Sequence, residues 1–123
     1  MFKATTTALA VALLSYVPQA SAQSYTTVQY LYGKCSMMAA VDGGYASEVE
    51  SMGAAQCLGY VRGAMDAYQV QQWVRNEELF CPGINLTAGQ IAELFMAWAR
   101  SRPREWNRGA AEGIALALAE VCV

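Results

Sequence analysis

The sequence has no histidine. That removes cysteine–histidine and serine–histidine–aspartate catalysis at once, together with the commonest general acid–base side chain. It also weakens any zinc reading of the cysteines, because no two of them lie within metal-clip spacing and no imidazole can complete a site. Positive charge is in short supply, with eight lysines and arginines against ten acidic residues, so the balance gives no support to nucleic-acid binding. Between Gln23 and Val123 there is no long linker, low-complexity run or internal repeat, and strand signals are poor. Adjacent carboxylates such as Glu77 and Glu78 read as solvated surface rather than as an acid–base pair. The expectation is a protein that is not an enzyme, with no catalytic residue, no metal site and no cofactor.

What is present begins with an export signal. Residues 1–22 carry one positive charge, Lys3, then the apolar run Ala8 to Leu14, Pro18, and the small residues Ala20-Ser21-Ala22. This is the pattern of a cleaved secretory signal peptide, and its apolar core is too short to span a membrane. The mature chain is predicted to begin at Gln23 and to form one domain over 23–123, with seven basic and ten acidic residues and a net charge of −3. All four cysteines, Cys35, Cys57, Cys81 and Cys122, fall in the mature part. An even number in an exported chain predicts two disulfides.

The apolar pattern is helical. Val28, Leu31, Tyr32 and Cys35 share a face, which predicts a first helix over Thr27 to Met38, broken by Asp42-Gly43-Gly44. Ser47 with Glu50 reads as a capping box opening a longer second helix to about Val74. Thr87 with Gln90 repeats the box for a third helix, with Leu86 and Ile91 as a hydrophobic staple. That helix should bury Ile91, Leu94, Phe95 and Trp98 and end by Pro103. A fourth, about Arg108 to Cys122, should turn Ala111, Ile114, Ala115, Leu118 and Val121 inward. Four amphipathic helices with short connections predict an all-α antiparallel bundle.

The bundle order predicts the cysteine pairing. With helices alternating up and down, Cys35 meets Cys57 and Cys81 meets Cys122, whereas Cys57–Cys81 would have to span about 25 Å of helix. Within the second helix, Leu58, Val61, Met65 and Tyr68 read as a core stripe. Beside it Ala55, Gly59, Gly63 and Ala67 form a ridge at spacing four. Each glycine inside a helix costs about 1 kcal/mol relative to alanine, which predicts close approach of the fourth helix or of a second subunit. Asp66, one turn after Arg62, reads as its ion-pair partner.

The run Cys57-Leu58-Gly59-Tyr60-Val61-x-Gly63 with Asp66, then Cys81-Pro82, the Thr87-x-x-Gln90 helix start, Pro103 and a terminal cysteine resembles the Rap/Tai immunity proteins. The resemblance covers nearly all of the mature chain, although in the family a residue often separates the third cysteine from its proline. It implies a small periplasmic helical protein, a homodimer, that binds and blocks a peptidoglycan amidase delivered by type VI secretion. The alternative is a periplasmic binding or chaperone-like helper on the same scaffold, for which Met37, Met38, Met52, Met65 and Met96 would supply an adaptable surface. For the partner-binding surface, Arg100, Arg102, Arg104 and Arg108 with Trp106 form the densest charged and aromatic cluster, of the residue types that dominate tight interfaces. A rival surface runs from Trp73 to Leu79, with Trp73, Arg75, Glu77 and Glu78.

Overall fold

Thr27 opens the first helix: its backbone is extended and its hydroxyl accepts the Tyr30 N–H at 3.2 Å. From there the computed structural model, which describes residues 25–77 and 85–122, is helical. The order is α1 (Val28–Cys35), α2 (Met38–Asp42), α3 (Glu48–Arg75), α4 (Ala88–Arg100), a 3-10 turn at Pro103–Glu105 and α5 (Ala110–Val121). The described residues hold no strand, only an isolated antiparallel bridge between Thr27 and Gly109. This is the predicted all-α bundle. The expected signal peptide, the expected mature start at Gln23, and Glu78, Leu79, Cys81 and Pro82 lie outside the described residues.

Both capping boxes form as expected. Ser47 and Glu50 exchange side-chain-to-backbone bonds at the start of α3, and Thr87 and Gln90 do so at the start of α4. Leu86 packs half-buried on the core and Ile91 is buried, as the staple requires. One expectation fails at the first helix, which stops at Cys35 instead of reaching Met38. The Ser36 hydroxyl donates to the Tyr32 carbonyl at 2.7 Å, competing for a helical acceptor, and the chain turns before α2 begins. That turn seats Met37 on Gly53 of α3, where a Cβ would overlap its sulfur, and brings Met38 Sδ within 3.6 Å of Cys57 Sγ.

The disulfide Cys35–Cys57 closes between α1 and α3, with Cα atoms 4.9 Å apart and both residues fully buried. Its loop spans 22 residues of sequence, worth about 3 kcal/mol on the chain-entropy account. Cys122 is also disulfide-bonded, and its expected partner Cys81 lies outside the described residues. Around the first bridge the core gathers Val28, Leu31, Val61, Ile91, Phe95, Trp98, Ile114 and Leu118. Burying each large aliphatic or phenyl side chain contributes about 1.5–3 kcal/mol.

Helix α5 corrects a second expectation. Its buried face is Ala110, Gly113, Ile114, Ala117 and Leu118, while Ala111 and Ala115 are only half-buried and Val121 is exposed. The Ala110 N–H donates to the Thr26 carbonyl at 2.7 Å, so the N-terminal strand of chain sets where α5 begins and which face turns inward. The third correction is to the fourth helix as the neighbour of the glycine ridge. A Cβ at Gly59 or Gly63 would meet nothing within 4 Å, so neither α5 nor any other part of the described chain packs there. The close approach is made instead at Gly113, where a Cβ would lie 2.8 Å from Val28 Cγ2 and 3.1 Å from both Phe95 and Trp98. On the predicted core stripe of α3, Val61 is buried, and Leu58, Met65 and Tyr68 are half-buried.

Candidate partner-binding surface

The connection from Arg100 to Arg108 is built by rigid neighbours. Pro103 opens the 3-10 turn, and the Trp106 indole N–H donates to the Ala99 carbonyl at 2.8 Å, plugging the end of α4. The Tyr32 ring stacks on Trp106 with centroids 5.6 Å apart. The Val28 and Gln29 N–H groups donate to the Arg108 and Trp106 carbonyls at 2.8 and 3.0 Å. The segment is thereby fixed to the start of α1 from both sides.

The four arginines divide into two kinds. Arg102 pairs with Glu120, donates to the Trp98 carbonyl at 3.2 Å and lies over the Trp98 ring. Arg108 bonds Glu105 at 2.6 Å and Glu112 at 2.9 Å, and these carboxylates raise its pKa above the ordinary value. Arg100, by contrast, donates to the Tyr32 hydroxyl at 3.3 Å and has no carboxylate partner among the described residues. Arg104 is exposed and has no ion pair or hydrogen bond among the described residues. Arg102, Arg108 and Trp106 therefore hold the connection together, and Arg100 and Arg104 are the pair it presents. Tyr32, which sequence reasoning placed only on the core face of the first helix, joins this surface through α1.

Beside it opens a cleft of about 560 Å³ lined by Tyr25, Thr26, Tyr60, Glu105, Arg108 and the first turn of α5. Gly109, the N-cap, supplies no side chain to α5. The Tyr68 hydroxyl of α3 donates to the Ala111 carbonyl, joining the two helices. Burial, then the neighbouring Tyr60 and Glu112, push the Tyr68 phenol up to about 12. Burial raises Tyr60 as well, against a backbone hydrogen bond from Ala111.

The rival surface is at the far end of α3. Trp73 is 84% exposed and is flanked by the exposed Val70 and Val74. Arg75 and Glu77 are exposed and have no ion pair among the described residues, and Asn76 ends the helix in the left-handed conformation with φ 51°. The structure does not bring Trp73 and Arg75 together with the arginine connection. The predicted Arg62–Asp66 ion pair is absent, in keeping with the less favourable order of a cation preceding an anion on a helix.

A family model for Rap1a immunity proteins matches residues 27–121. The chain belongs to that family. The match runs from the N-cap of α1 to the end of α5, so this Rap1a-family chain uses its whole described bundle as the family domain. Membership supports immunity to a type VI effector, and with it the binding of a cognate effector protein. No curated protein and no solved structure matches the chain. No helix among the described residues is long and apolar enough to cross a membrane.

Proposed function

We propose that this chain is a periplasmic immunity protein, exported by cleavage after Ala22, that binds and blocks a type VI secreted peptidoglycan amidase without catalysing a reaction itself. The family match over 27–121 carries this reading. The lack of histidine supports the non-catalytic part, since it leaves no conventional nucleophile–base pair. The helper alternative loses support, because four of its five methionines are half-buried and only Met52 is well exposed.

The effector-binding surface is the Arg100–Arg108 connection, with the Trp73 end of α3 as its competitor. The outer face of α3 is the homodimer contact. Along it Met52, Ala55, Gly59, Gly63, Ala67, Val70 and Val74 recur every three or four residues, all exposed. A two-fold partner helix could approach the two glycines closely, which would offset their helical cost.

The test is co-expression in the periplasm with a type VI secreted peptidoglycan amidase, sought first in the adjacent reading frame. The wild-type chain should prevent lysis and form a stable complex; lysis at wild-type levels with no complex would sink the reading. Arg104→Ala and Trp73→Ala separate the two surfaces, because both side chains are exposed and neither holds the fold. Trp106→Ala is a poorer probe, since it also removes the plug on Ala99. Light scattering at micromolar concentration should give a dimer mass.

A further inference from the structure

The geometry points to a carboxylate-rich protein segment as what this surface receives, held by Arg100, which bonds the Tyr32 ring stacked on Trp106, and by Arg104 in the same connection. The inference rests on the effector-binding reading and adds the partner's chemistry. Of the four arginines in the connection, two are neutralised within the chain by Glu120, Glu105 and Glu112. The other two have no carboxylate among the described residues. In a chain of net charge −2, this leaves uncompensated positive charge concentrated on one rigid, aromatic-backed patch. Arg62 and Arg75 likewise have no ion pair among the described residues, but they stand singly on α3, and Arg62 is one turn from Asp66.

The chemistry follows from the side chains. A guanidinium presents a planar fork that matches a carboxylate with two parallel hydrogen bonds. Arginine, tryptophan and tyrosine are the residues that most often carry interface affinity. Arg100 is already oriented by its bond to Tyr32, so less freedom is lost when it engages a partner. Overall the chain repels a polyanion, so binding of one must be local to a patch such as this.

The first measurement is a titration of the whole mature chain with a decaglutamate peptide, following the Trp106 indole and arginine Nε signals by NMR at low salt. Saturable shifts are expected at Trp106 and Arg100. The Arg100→Ala/Arg104→Ala double variant should lose at least fivefold in affinity, while Arg62→Ala/Arg75→Ala, with the same change of charge, stays within twofold. Absence of a saturable shift, equal losses in the two double variants, or stronger binding to phosphatidylglycerol vesicles than to the peptide would each overturn the inference. The second measurement uses the amidase that the co-expression test identifies as the cognate effector. Arg100→Glu/Arg104→Glu should weaken its complex at least tenfold, and tight binding without that loss overturns the inference while the immunity reading stands. If the peptide result holds but the wild-type chain never binds the amidase, the immunity reading fails and the acidic-segment surface remains.

Discussion

Helix α3 has two faces that use the same residue types to opposite ends. Its inner face buries Gly53, Ala54, Cys57 and Val61 against α1, α2 and the core. There Gly53 is required, because the Met37 side chain occupies the space a Cβ would need. Its outer face carries Gly59 and Gly63 over open space, with Met52, Val70 and Val74 exposed along the same line. A small residue on a helix is thus ambiguous until its neighbours are known. On the inner face it is fixed by packing within the chain, and on the outer face only a second molecule can give it that purpose.

The largest expected effect comes from breaking the inner face. Replacing Cys35 and Cys57 together by alanine should cost about 3 kcal/mol of unfolding free energy, measured by urea denaturation. An unchanged midpoint would mean that packing alone holds α1 to α3.

Gly113 sharpens the contrast with Gly59 and Gly63 from the core side. Gly113→Ala should destabilise by about 1–3 kcal/mol, because Val28 is β-branched and Phe95 and Trp98 are buried, so none can easily yield. Thermal denaturation reads this directly, and a gain in melting temperature would show that the seam is looser than its distances.

The inner flank of α3 also titrates. Tyr68 binds the Ala111 carbonyl, and its folded-state pKa of about 12 lies above the ordinary value of 10.0. A raised folded pKa stabilises the fold fully below the unfolded value, and that contribution is lost as pH rises through the folded one. Stability should therefore be level to about pH 10 and fall between 10 and 12, and Tyr68→Phe should flatten the decline. An equally steep fall in the variant would assign the effect elsewhere.

The smallest effect is expected on the outer face. Gly59→Ala and Gly63→Ala should each stabilise an isolated chain by up to about 1 kcal/mol through helix propensity. If the face pairs with a second copy, the same substitutions should weaken the dimer at equilibrium sedimentation. A rise in melting temperature with unchanged association would leave this face unpartnered.

The caps show where sequence is sufficient. Ser47 with Glu50 and Thr87 with Gln90 bond only their own first turns, so helix starts could be read locally. The core faces of α1 and α4 were legible because their apolar period is strong, and Cys35–Cys57 followed from the order of the helices. At the candidate site the sequence indicated the arginines and Trp106 as a group. Glu112, four residues on, put the pairing of Arg108 within local reach, but nothing local separated Arg102 from Arg100 and Arg104, since Glu120 lies 18 residues from Arg102 and the Tyr32 hydroxyl lies 68 from Arg100.

The amino-acid sequence by itself determined the starts of α1, α3 and α4 and the all-α class. Each rests on contacts within a turn or on a period repeated along one element. Only the tertiary structure decided which face of α5 is buried, which glycines touch a neighbour, and which arginines remain uncompensated. Those outcomes depend on side chains brought together from distant positions, and Ala-rich or Gly-containing helices offer too weak an apolar contrast to announce their own orientation.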